Sequence, residues 1–165
     1  MFKFWLFLHV FSVIVAYGPT YAFPLTVGLA RKDPKHVPFA AKVNETISMK
    51  MTWPFSILAG LTGIAMILTE REVYFDSFFE TRWLVSGVAL YVIGVTFSAT
   101  VQTPRAKKMM ELTSKMAAAG PPPEGAPAGP PPEMVALGKK LQMGGMFLGV
   151  LVLVIVILMV TKPTL

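Results

Sequence analysis

Four apolar stretches separated by charged segments constrain this chain more than any other feature. They cover residues 4–30, 53–69, 83–102 and 143–161. A helix needs about 20 apolar residues, at a rise of 1.5 Å each, to cross about 30 Å of hydrocarbon. Inside that layer no water is available to backbone N–H and C=O groups, and a helix satisfies them within one segment. The sequence therefore predicts an all-α membrane protein with four transmembrane helices. With 165 residues, 54% of them hydrophobic, and a mean hydropathy of +0.61, little chain is left for anything but a single four-span domain. Residues 150–160 are an unbroken run of Val, Leu, Ile and one Met. At roughly −0.3 to −0.6 kcal/mol per central apolar residue, that run alone favours insertion by several kcal/mol. The second stretch is interrupted by Pro54, so its start is the least defined boundary.

The net charge of +6 does not indicate a nucleic-acid partner, because the cations are sorted by loop. Segments 31–52 and 103–142 carry Arg31, Lys32, Lys35, Lys42, Lys50, Arg105, Lys107, Lys108, Lys115, Lys139 and Lys140. The termini and segment 70–82 carry only Lys3, Arg71, Arg82 and Lys162. Eleven cations against four place the two long loops in the cytoplasm of a bacterial inner membrane and both termini outside. Residues 1–22 share features with a secretory signal, including Thr20-Tyr21-Ala22 at a cleavage-like position. The apolar stretch continues through Phe23-Pro24-Leu25-Thr26-Val27, and cleavage would export the basic segment 31–52, so a retained helix is expected. The chain has no cysteine, and its two histidines, His9 and His36, lie on different elements, which argues against a zinc site.

Pro19 and Pro24 are expected to bend the first helix. Pro34 and Pro38 are expected to break any long helix in segment 31–52, where Asn44-Glu45-Thr46 reads as a chance match to a glycosylation acceptor. Segment 70–82 mixes acids with Tyr74, Phe75, Phe78 and Phe79 and reads as a short amphipathic piece at the membrane surface. In segment 103–142, residues 105–116 continue the third helix, the Pro/Gly-rich stretch 120–133 is a spacer of polyproline type, and 134–142 lead into the fourth span.

An offset of 74 residues overlays the first span on the third. Ser12, Tyr17, Phe23, Thr26, Val27 and Arg31 meet Ser86, Tyr91, Phe97, Thr100, Val101 and Arg105. The echo suggests two parallel helical hairpins related by a pseudo-two-fold axis along the membrane normal.

His9 is the one histidine inside a span, and ionisable groups there often mark function. Ser12, Ala16 and Thr20 follow it at helical spacing, forming a small, polar stripe. Histidine is a common axial ligand of haem, so haem b at His9 is one reading, with Met66 or Met159 as candidate second ligands. A hydrogen-bonded structural histidine is the other. Small residues mark the packing faces: Ser56, Gly60 and Gly63 on helix two; Gly87, Tyr91, Gly94 and Ser98 on helix three; Gly145 and Gly149 on helix four. No catalytic triad, phosphate-binding glycine loop or mid-membrane carboxylate pair is present in the sequence.

Leu8-His9-Val10, Trp83-Leu84-Val85 through Leu90-Tyr91, and Met159-Val160-x-Lys162-Pro163 resemble a bacterial family of integral membrane proteins of unknown function, domain-of-unknown-function family 2269. The likeness covers most of the chain outside the Pro-rich insert and implies no activity. A more distant similarity is to four-helix protoporphyrinogen oxidases and copper-resistance membrane proteins, whose first span also opens with Leu-His. In the oxidase that His and a third-span Lys are implicated in haem binding. Here His9 matches the first, Ser86 stands at the second, and the third span has no Lys.

These features point to a non-catalytic accessory or scaffold subunit of a larger respiratory or photosynthetic membrane complex, packed against other integral subunits or a second copy. A haem-b protein using His9 is the alternative, and a small transporter a weaker one. The threading has a direct check. A single cysteine at Ser114 should resist a membrane-impermeant maleimide in intact spheroplasts, while one at Glu80 reacts; the reverse pattern would invert the orientation.

Overall fold

The computed structural model describes residues 1–30, 32–75, 78–119 and 130–163. Among the described residues every regular element is helical. The first helix comprises α1 (Phe2–Tyr17), a 3₁₀ turn (Gly18–Ala22) and α2 (Phe23–Ala30). A short 3₁₀ turn, Pro34–His36, leads to α3 (Val37–Ile47), a π turn (Ser48–Thr52) and α4 (Trp53–Thr69). After a second π turn, Arg71–Phe75, come α5 (Arg82–Phe97), a third π turn (Ser98–Gln102) and α6 (Thr103–Ala119). The last helix is α7 (Pro132–Thr161). Four continuous helices, Phe2–Ala30, Val37–Thr69, Arg82–Met116 and Pro132–Thr161, are long and apolar enough to cross a membrane.

These helices are 29 to 35 residues long. At 1.5 Å per residue they measure about 43–53 Å, against about 30 Å of hydrocarbon. The excess is the polar part: α3, α6 and the first turns of α7 project beyond the apolar spans. The expectation that Pro34 and Pro38 break any long helix in segment 31–52 does not hold for Pro38. It sits in the first turn of α3, where a missing N–H costs nothing because that donor has no intrahelical acceptor. Pro19, by contrast, falls in the 3₁₀ turn that interrupts the first helix, as its chemistry requires. The spacer residues 120–129 and Arg31 of the repeat lie outside the described residues.

Two of the π turns have one cause. Pro54 and Pro104 each lack an N–H, and each stands two residues after the end of a π turn. There the N–H of Trp53 reaches back five residues to the Ser48 carbonyl, and the N–H of Thr103 does the same to Ser98. The widened turns let the helix run through proline instead of ending. Each turn ends in a residue with a buried, unpartnered side-chain oxygen, Thr52 Oγ1 and Gln102 Oε1.

The spans pack in pairs, α1 with α4 and α5 with α7, while α3 packs on α6 beyond them. In the first pair the interface is small and polar: Ser12, Ala16, Ser56, Ala59 and Thr62 are buried. The second pair is more aliphatic. Leu84 and Leu151 are buried, the Met159 methyl lies against Gly87, and Leu151 approaches Gly94. The Phe97 and Phe147 rings meet edge-on at 5.0 Å. At the opposite end from α3 and α6, Phe2 stacks on Tyr74, and the Lys162 ammonium lies over Trp83 (5.5 Å) and Tyr74 (6.0 Å). Lys162 ends α7 in the left-handed region (φ 42), a position usually held by Gly, and Pro163 stops the helix. The two aromatic rings give this lysine a reason to stand there.

The two pairs approach closely at Gly60, where a Cβ would overlap the Tyr91 hydroxyl. That hydroxyl donates to the Ser56 carbonyl (2.9 Å). Gly60→Ala should therefore displace Tyr91 and cost about 1 kcal/mol in a detergent unfolding assay. In a Tyr91→Phe background the same substitution should cost less; equal costs in both backgrounds would remove Tyr91 from the explanation.

Candidate functional site

Helix periodicity puts His9, Ser12 and Ala16 on one face of α1, and Ser56, Ala59, Thr62 and Gly63 on one face of α4. Because most of these side chains are small, the two backbones come close and polar atoms meet across the seam. His9 Nδ1 lies 2.9 Å from the Ala59 carbonyl oxygen. A carbonyl only accepts, so Nδ1 carries the proton and Nε2 of the neutral ring holds the free lone pair. The Thr62 hydroxyl stands 3.4 Å from the same nitrogen and donates within its own helix, to Leu58 (2.7 Å) or Ala59 (3.1 Å). Ser12 donates back to the Leu8 carbonyl at 2.6 Å. Both hydroxyls thus stay satisfied without water. Gly63 leaves room for the imidazole edge: a Cβ there would stand 3.4 Å from His9 Cε1.

A second polar knot lies toward the middle of the spans. Tyr91 from α5 bonds the Ser56 carbonyl, and Tyr17 from α1 meets the Ser56 side chain beside it. These are the two tyrosines that the 74-residue offset overlays, and both converge on one serine. The threonine pair in that overlay behaves differently. Thr26 bonds Phe23 and the Asn44 amide oxygen (2.9 Å each), whereas Thr100 returns to Thr96 in its own helix (2.7 Å). Asn44 is thereby held in an α2–α3 contact.

Tyr21 and Gln102 join the fourth helix to the others. The Tyr21 hydroxyl donates to the Gly149 carbonyl (3.2 Å), and Gln102 Nε2 donates to the Leu141 carbonyl (2.9 Å). Gln102 Oε1 rests against Gly144, where a Cβ could not fit. Of the expected glycine pair on helix four, Gly149 takes Tyr21, Gly145 is exposed, and the buried glycine is Gly144. Gln102 and Gly144 were not singled out by sequence reasoning; a glutamine at the end of an apolar span was the available signal.

The structure brings His9, Thr62 and Gly63 together. Met66 stands one turn beyond Thr62 on the same face of α4. Met159 is on the other helix pair, its methyl against Gly87. Ser98, like Thr62, lies within a helix that passes the interface, but as the first residue of a π turn. Among the described residues no group of three His, Cys, Asp or Glu side chains could hold a metal ion. An opening of about 300 Å³ lies outside the spans between α3 and α6, against Pro38, Ala41, Lys42, Met110, Thr113 and Ser114.

The chain belongs to the family described as predicted integral membrane protein (DUF2269), whose model matches residues 4–163. No curated protein and no solved structure matches it. The family description agrees with the four spans and carries no activity.

Replacing His9 tests the seam apart from any ligand. His9→Leu should lower the stability of the folded protein in detergent by about 0.5–2 kcal/mol through loss of the Ala59 bond. An unchanged unfolding midpoint would mean that the bond contributes nothing.

Proposed function

We propose that this protein is a non-catalytic scaffold or accessory subunit of a larger complex in the bacterial inner membrane, with both termini outside. One observation carries the reading. Four polar side chains within the spans hold the helices to one another: His9 on Ala59, Tyr91 on Ser56, Tyr21 on Gly149, Gln102 on Leu141. The outward faces of the same helices are long apolar stripes, with Phe4, Phe7, Phe11 and Ile14 on the first and Met146, Val150, Leu153 and Ile157 on the last. Such a unit is suited to pack against lipid and other membrane helices by shape. A respiratory or photosynthetic assembly is the setting in which small multi-span subunits of this kind are expected.

A second reading rests on His9. With Nδ1 donating to Ala59, the ring is oriented and its Nε2 lone pair is available, the arrangement a histidine ligand uses. The donor fits haem b in five-coordinate form. Met159 is engaged at Gly87 on the other helix pair, which leaves Met66 as the nearer sulfur on the His9 face. Bound haem would supply one-electron redox chemistry, and His9 would hold and orient it.

Native extraction in mild detergent, followed by an absorption spectrum, distinguishes the two. The scaffold reading predicts a stoichiometric membrane partner and no Soret band. A monodisperse lone monomer would contradict it. A Soret band abolished by His9→Ala would establish the haem reading instead.

A further inference from the structure

Several threonine hydroxyls in these helices return to the carbonyl four residues back. Thr46 bonds Lys42 (2.8 Å), Thr62 bonds Leu58 (2.7 Å) and Thr113 bonds Met109 (2.7 Å). Ser48, which opens the first π turn, does the same to Asn44 (2.8 Å). Thr52, which closes that turn, does not. Its Oγ1 is buried and bonds no protein atom. α1 packs against the turn and helps to shield it from bulk solvent. A buried hydroxyl left without a partner is costly.

The same turn strands an acceptor beside it. In an α-helix the Met49 carbonyl would take the N–H of Trp53, and in a π turn that of residue 54. The Trp53 N–H goes to Ser48 instead, and Pro54 has no N–H to give. The Lys50 carbonyl loses its α-helical donor to the same proline. Thr52 thus carries a buried donor within one turn of two carbonyls deprived of their usual donors. It bonds neither of them directly.

The missing link must take a hydrogen bond from a hydroxyl and give hydrogen bonds to carbonyls. A hard metal cation wants carboxylates and a larger set of oxygens, whereas this turn has no acid and its one charged side chain is Lys50. An anion would find a single hydroxyl. Water does both tasks, and buried waters typically make about three such bonds. We propose that the Ser48–Thr52 turn holds one structural water, which accepts from the Thr52 hydroxyl and donates to the Met49 and Lys50 carbonyls. It replaces the helix bonds lost where α3 passes into α4. The Ser98–Gln102 turn strands the Ala99 carbonyl in the same way, but its closing side chain, Gln102, reaches across to Leu141. The proposal therefore covers the Thr52 turn alone. It is independent of the scaffold and haem readings.

Two measurements on the full chain test it. A crystal structure that resolves ordered water should show a peak within hydrogen-bond reach of Thr52 Oγ1 and the Met49 carbonyl oxygen. Thr52→Val keeps the side-chain shape and removes the donor. With a bridging water, that change should lower the folded-to-unfolded ratio in detergent about fivefold. In a Pro54→Ala background, where an N–H returns to the turn, the same change should lower it less than about twofold. A hydroxyl with no water would behave oppositely, because replacing an orphan polar group by a methyl leaves stability unchanged or raises it. That result, or equal losses in the two backgrounds, would overturn the proposal. So would a map with ordered water elsewhere on the protein and none at Thr52. Should either variant fail to fold, the map alone decides.

Discussion

The hydrocarbon layer offers no water to polar groups, and the arrangement of this molecule follows from that constraint. Each span must satisfy its backbone internally, and any polar side chain within it must bond a protein atom. Here some hydroxyls return to their own helix, as Ser12, Thr62 and Thr100 do, and four other side chains become ties between helices. His9 and Tyr91 reach carbonyls of α4, and Tyr21 and Gln102 reach carbonyls of α7. A helical carbonyl has a second lone pair, so each tie forms without breaking a helix bond. Interhelical bonds in membranes are individually modest, about 0.6 kcal/mol on average. Their value is positional: they set the height at which one helix meets another. Small residues then permit the close approach, as Gly60 does below Tyr91 and Gly144 below Gln102.

Proline placement shows the same constraint acting on the backbone. Pro54 and Pro104 stand where polar and apolar parts of a long helix join, and a π turn precedes each. An abrupt helix end at this depth would leave carbonyls without partners. The widened turn keeps the chain helical, so α3 and α6 emerge as extensions of the second and third spans and pack on each other.

Much of this was legible in the sequence. The four spans and the faces marked by Ser56, Gly60, Gly63, Gly87 and Gly94 follow from hydropathy and helical spacing, because bilayer thickness and side-chain size act locally. The helical nature of 105–116 and 134–142 was legible too. The continuity of the second helix through segment 37–52 was not. Proline in a first helical turn looks, in sequence, like proline that breaks a helix, and only the hydrogen-bond pattern separates the two. The role of Gln102 and the choice of Gly144 over Gly145 were equally hidden, since both depend on how two helices distant in sequence are levelled. His9 was legible as a residue of interest, but its protonated nitrogen is assigned only by the carbonyl it meets.

The central claim is that the spans are joined as two pairs, the first through the His9 seam and the second through Gly87 and Gly94. The chain has no native cysteine, so paired cysteines can be introduced without background. Oxidative cross-linking in native membranes of Ser12→Cys with Ala59→Cys, and of Gly87→Cys with Met159→Cys, tests it directly. The account predicts rapid cross-links within one chain for both pairs and none for Ser12→Cys with Met159→Cys. Efficient cross-linking of that mixed pair, or bands formed only between chains, would contradict it.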